Sequence, residues 1–85
     1  MNYSLIIELQ ATKALAALSE VPHELFTLEF FDICGDPHGP RGLTTETSGL
    51  KTSRMWAVGL MGFIEYEVDD GAKVVTITNV ISTVG

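Results

Sequence analysis

The sequence predicts an α+β fold in which a two-helix hairpin packs on a curved, mainly antiparallel four-stranded sheet, in the order β-α-α-β-β-β. Three observations carry this. First, the stretch from Arg54 to Ile77 reads as consecutive antiparallel strands punctuated by Gly59 and by Asp70-Gly71. Asp-Gly between alternating apolar runs is a strong hairpin signal, because both residues tolerate positive φ. Second, Ala11, Ala14, Leu15 and Leu18 recur at i, i+3, i+4 and i+7, the period of an amphipathic helix. Third, Phe26, Phe30, Ile33 and Cys34 form a second helical stripe that stops before Pro37.

Tyr3 to Leu9 is expected to form the first strand, with Leu5, Ile7 and Leu9 facing one way and Ser4 and Glu8 the other. The alanine-rich helix that follows is expected to end at Val21-Pro22, since the residue before a proline is pushed out of the helical region. Pro22 also suits the first turn of the second helix. Leu25, Leu28 and Phe31 widen that helix's apolar stripe, and Gly35 is expected as its left-handed cap. Residues 35–49 are rich in Gly, Pro, Ser and Thr and keep no apolar period, which predicts a flexible loop. The last strands then place Trp56 and Val58, then Ile64, Tyr66 and Val68, then Val75, Ile77 and Ile81 on core-facing positions. Trp56 and Tyr66 are the expected anchors of the helix–sheet core.

Eighty-five residues suffice for a single domain, 1–85, with no room for a second core. A hydrophobic content of 46% argues against disorder. The single cysteine, Cys34, excludes an internal disulfide and a cysteine-rich zinc site, so a reducing cytoplasm is the expected location. No apolar run approaches the length of a membrane span, and the start of the chain lacks the basic region of a signal peptide. A formal net charge of −6 disfavours bulk attraction to phosphate backbones. His23 and His38 do not make a metal set, and Glu65, Glu67, Asp69 and Asp70 lack the spacing of a calcium loop. Neither a metal nor a cofactor is expected.

The segment Arg54-Met-Trp-Ala-Val-Gly59, the strand Ile64-Glu-Tyr-Glu-Val-Asp-Asp70 and the final Val-rich strand resemble the sheet of RelE/ParE-type toxins of type II toxin–antitoxin systems. Lys13-Ala-Leu-Ala-Ala-Leu18 and Asp36-Pro37 extend the resemblance through the helices. It implies a RelE-like fold, a cognate antitoxin as partner and growth arrest as the cellular outcome. It further implies either ribosome-dependent mRNA cleavage or, as in ParE relatives, inhibition of DNA gyrase. A non-catalytic binding module on the same scaffold, or a homodimeric regulator, is the competing class. Where such toxins commonly carry Gly-Asp-Tyr-Arg, this turn reads Gly59-Leu-Met-Gly62, and the late Tyr or His is absent.

If the protein cleaves RNA, cations must stabilise the extra charge on the reacting phosphate while another group moves a proton from the 2′-hydroxyl. Arg54 is the candidate phosphate ligand, on the open face of the sheet, with Lys51 or Arg41 assisting. His38, in the predicted loop, is the candidate proton carrier because histidine titrates near neutrality. Against this stands the reading of Lys51 and Arg54 as ordinary solvated charges: three apart on a strand, they point to opposite faces.

Overall fold

A computed structural model describes residues 3–83. The elements are β1 (Ser4–Ile7), α1 (Leu9–Ala16), α2 (Glu20–Gly35), β2 (Gly42–Ser48), β3 (Lys51–Ala57), β4 (Gly62–Asp69) and β5 (Val74–Ser82). The sheet order is β1-β5-β4-β3-β2. All neighbours are antiparallel except β1 and β5, which run parallel with Ser4 opposite Val74 and Ile7 opposite Ile77. The α+β class and the helix pair on a mainly antiparallel sheet are as expected. The sheet has five strands rather than four. The added strand is β2, drawn from the segment predicted to be loop.

The reason lies in exposure. β2 is an edge strand, and its residues 43–48 are exposed on both faces, so no apolar alternation marks it. Its three β-branched threonines favour extended backbone all the same. A bulge between Thr44 and Glu46 sets its register, and the Thr45 hydroxyl donates to the Ser53 carbonyl across the pair.

The connection from β1 to β2 passes through both helices and carries the chain from one edge of the sheet to the other. The helices therefore cover one face, and the core forms between them and β3, β4 and β5. Phe26, Phe30, Ile33 and Cys34 of α2 meet Ile64, Tyr66, Val68, Val75 and Ile77 of the sheet, all essentially inaccessible to solvent. Burying a phenylalanine side chain contributes about 1.5–3 kcal/mol, so Phe26 and Phe30 alone hold α2 firmly in place. Trp56 and Tyr66 are buried as expected, with ring centroids 6.3 Å apart in an edge-to-face arrangement.

Several local expectations are corrected. Leu9 starts α1 instead of ending β1, because the Glu8 amide already closes the strand by donating to the Ile77 carbonyl. The helix break falls at residues 17–19, where Ser19 is extended, and Val21 and Pro22 lie inside the first turn of α2. There the missing proline N–H is of no consequence. Gly35 is not a left-handed cap. Pro37 forces the residue before it out of the helical region, so Asp36, at φ −154°, ends the helix. Leu25, Leu28 and Phe31 are exposed and do not widen the buried stripe.

In β5 a register shift against Glu65 and Tyr66 turns Val80 inward and leaves Ile81 partly exposed. The β4–β5 hairpin closes with residues 70–73, and its positive φ falls on Lys73, at 58°, instead of on Asp70-Gly71. The Asp69 carboxylate accepts from the Ala72 amide and holds this longer turn. Gly62 opens β4 at φ 143°, where a Cβ would overlap the Ile81 carbonyl oxygen.

Candidate functional site

Alternation along β3 sends Thr52, Arg54 and Trp56 inward and Lys51, Ser53 and Met55 outward. Arg54 thus lies on the helix-covered face, not on the open face where phosphate binding was expected, and only 6% of it is accessible. Its Nη1 donates to the Pro37 carbonyl at 2.7 Å, and its Nη2 donates to the carbonyls of Gly39 at 2.9 Å and Gly42 at 2.6 Å. Nε has no partner. An arginine keeps its charge at any physiological pH, and a buried charge is tolerated only when it is well hydrogen-bonded. Three carbonyls from one loop meet that need, so Arg54 folds residues 37–42 around its guanidinium.

Tyr66, opposite Arg54 on β4, completes this anchor: its hydroxyl donates to the Pro37 carbonyl at 2.8 Å. Burial pushes the phenol up to about 12, against a lowering by the Arg54 charge. Gly42 is required by the same packing, since a Cβ there would stand 2.6 Å from the Tyr66 hydroxyl and 3.1 Å from the Arg54 guanidinium.

Arg41 extends outward over α2. Its Nη2 donates to Glu29 Oε1 at 2.8 Å, its Nη1 stands 3.7 Å from Asp32, and the guanidinium lies 4.7 Å from the Trp56 ring centroid. The Trp56 indole donates to the other Glu29 oxygen at 2.9 Å. Glu29 therefore holds Arg41 and Trp56 together, a cation–π contact braced by one carboxylate.

His38 faces away from these groups. Its Nε2 lies 2.9 Å from Asp70 Oδ1, and the Tyr3 hydroxyl donates to the same oxygen at 2.7 Å. The Lys73 ammonium sits 5.1 Å from the Tyr3 ring centroid. The Tyr3 hydrogen bond, then the His38 contact, lower the Asp70 carboxyl below its ordinary value, while the same Asp70 hydrogen bond raises the Tyr3 phenol. Lys51 is exposed on the open face, 4.0 Å from Glu67.

The four candidate residues are thus not gathered into one constellation. Arg54 and Arg41 flank the 36–42 loop from inside and outside, His38 turns from that loop to the β4–β5 hairpin, and Lys51 lies across the sheet. Sequence reasoning missed the loop anchor and the Tyr3–Asp70–His38 cluster. Both depend on backbone carbonyls or on residues far apart in the chain, and neither leaves a spacing signal. Among the described residues no group of His, Cys, Asp or Glu is arranged to hold a metal, no pocket indents the surface, and no helix is long and apolar enough to cross a membrane.

No protein-family profile and no curated relative matches the chain. Solved structures do. The archaeal RelE–RelB complex from Pyrococcus horikoshii contains a chain 28% identical, covering 96% of each chain with a TM-score of 0.79. The RelBE2 toxin–antitoxin complex from Mycobacterium tuberculosis contains one at 18% identity and TM-score 0.82, over 96% of this chain and 99% of that one. The second match speaks for the fold alone. The first, a likeness to a chain of a RelE–RelB complex over nearly its whole length, together with the sheet built as the Arg54–Gly59 and Ile64–Asp70 segments foretell, supports a place in the RelE-type toxin superfamily.

Proposed function

We propose that this protein is the toxin component of a type II toxin–antitoxin pair, that its cognate partner is an antitoxin protein, and that it acts by binding rather than by cutting RNA. The observation that carries the first part is the end-to-end match to a chain of a RelE–RelB complex. The mechanism rests on how the candidate cations are engaged. Arg54 is enclosed by three carbonyls, Arg41 is held by Glu29 and Asp32, and Lys51 faces Glu67. A transition-state clamp for phosphoryl transfer needs several donors aimed at the open space where the phosphate will sit. Arg54 and Arg41 are aimed at protein, which leaves Lys51, exposed on the open face, as the one of the three turned to solvent.

RNA cleavage is the second reading. One observation favours it: His38 is partly exposed and oriented by Asp70, as a proton carrier would be. On that reading Arg54 has to leave its carbonyls to reach a phosphate.

Inducible expression, with and without the neighbouring reading frame, tests the proposal. Growth arrest relieved by that neighbour supports it, and unaffected growth overturns it. Intact translating mRNA during arrest supports the binding mechanism, whereas mRNA cut at the ribosome supports the second reading. Inhibition of DNA supercoiling by the purified protein would identify gyrase as the target.

A further inference from the structure

The outer face of α2 is unusually apolar for an exposed helix. Val21 is 64% accessible, Leu25 40%, Leu28 58% and Phe31 49%. At 100° per residue, Val21, Leu25 and Leu28 fall within an arc of about 60°, and Phe31 lies about 60° further round. This is an i, i+4, i+7, i+10 ladder running three turns along the side of α2 opposite Phe26, Phe30 and Ile33. Scattered single leucines on a surface need no explanation, but four large apolar side chains in one continuous strip mark an interaction site.

The charges beside the strip say what covers it. Glu20, Glu24 and Asp32 are exposed around it, and α2 contains no lysine or arginine. Asp32 stands 3.7 Å from Arg41 Nη1, so Glu20 and Glu24 are the carboxylates that call for a cation. Glu29, on one flank, is already engaged by Arg41 and Trp56. Two copies of the chain meeting along this strip would bring Glu20 and Glu24 of each together, with Arg41 already engaged by Glu29 and Asp32 and no cation on either helix, within a protein of net charge −6. Like charges across such a seam are destabilising. A helix carrying an apolar ladder flanked by lysine or arginine satisfies both the apolar and the electrostatic requirement.

We infer that the outer face of α2 is a docking strip for a basic amphipathic helix, about three turns long, contributed by a partner protein. This rests on the reading that the protein works through a protein partner, and it names the chemistry of that partner's contact segment. The apolar ladder supplies the packing, and the carboxylates fix the partner's charge and orientation.

The probe is a synthetic helical peptide with leucines at ladder spacing and lysines or arginines on the flanks, beside a second peptide with the same leucines and glutamate flanks. Isothermal titration of the full chain is expected to show the basic peptide binding at about micromolar affinity and the acidic peptide at least tenfold more weakly. Leu28→Ser is expected to weaken the basic peptide about tenfold. Glu24→Lys is expected to weaken it and to flatten its salt dependence. These positions are exposed, and unchanged circular dichroism confirms that each variant is folded.

Absence of binding by the basic peptide, equal binding of both peptides, or indifference to Leu28→Ser and Glu24→Lys overturns the inference. So does sedimentation showing a dimer that Leu28→Ser dissolves, which would make a second copy the occupant. The growth assay separates this from the proposed function. If the neighbour relieves arrest but the basic peptide does not bind, the docking strip falls and the toxin reading stands. If the peptide binds and no arrest occurs, the reverse holds.

Discussion

The Arg54 guanidinium reaches the Gly42 carbonyl at 2.6 Å, and Gly42's lack of a side chain is what makes that approach sterically feasible. This contact joins the start of edge strand β2 to the strand beside it, and it makes the loop between α2 and β2 depend on one buried charge.

Arg54→Ala is expected to lower stability by about 3 kcal/mol, because it leaves the carbonyls of Pro37, Gly39 and Gly42 without their charged donor. Arg54→Lys keeps the charge but not the planar fork and is expected to recover only part of the loss. Urea unfolding of the three proteins checks this. Equal midpoints would show that the guanidinium does not anchor the loop.

Gly42→Ala is expected to cost about 2 kcal/mol by overpacking against the Tyr66 hydroxyl. Tyr66→Phe alone is expected to cost about 1 kcal/mol, for the hydrogen bond to Pro37. The double variant should cost less than the two singles combined, since removing the hydroxyl makes room for the new methyl. A double-mutant cycle that closes additively would place the strain elsewhere.

The Asp70 cluster ties stability to pH at both ends. Its carboxyl is lowered in the folded state, so its contribution is present above the ordinary aspartate value and is lost as the pH falls through the depressed one. The Tyr3 phenol is raised, so its contribution is present below the ordinary tyrosine value and is lost as the pH rises through the elevated one. Asp70→Asn should therefore flatten the acid limb of a stability profile, and Tyr3→Phe the alkaline limb. Chemical denaturation across the two ranges reads both directly.

At equal soluble expression, Lys51→Ala and His38→Gln are expected to arrest growth as well as the wild type does. If the protein cuts RNA instead, loss of a phosphate ligand or proton carrier should slow cleavage on the order of 30- to 1000-fold, and arrest would weaken visibly. Plating and mRNA mapping on the same cultures distinguish the outcomes.

The elements that bury a face were legible in advance. Phe26, Phe30, Ile33 and Cys34 repeat at helical spacing because they fill the core, and Ile64, Tyr66 and Val68 alternate for the same reason. β2 was not legible, because an edge strand exposed on both faces imposes no apolar rhythm. The Val80 and Ile81 faces were exchanged because a bulge shifts register without changing which residues are apolar. Arg54 read as a surface cation because its partners are carbonyls, which every residue possesses and no sequence pattern advertises. Of the candidate cations, Arg54 is held by carbonyls and Arg41 by carboxylates, while Lys51 is exposed on the open face.

The parallel pairing of β1 with β5 has a consequence for how the protein comes into being. Tyr3 and Asp70 stand 67 residues apart in sequence yet share a hydrogen bond, and α1 rests chiefly against β5. On a translating ribosome the first strand and first helix emerge early and must wait, apolar faces bare, until nearly the whole polypeptide has been made. Such non-local closure slows folding. A protein interrupted in mid-synthesis cannot assemble its sheet, so incomplete products lack the finished surface through which a toxin would act.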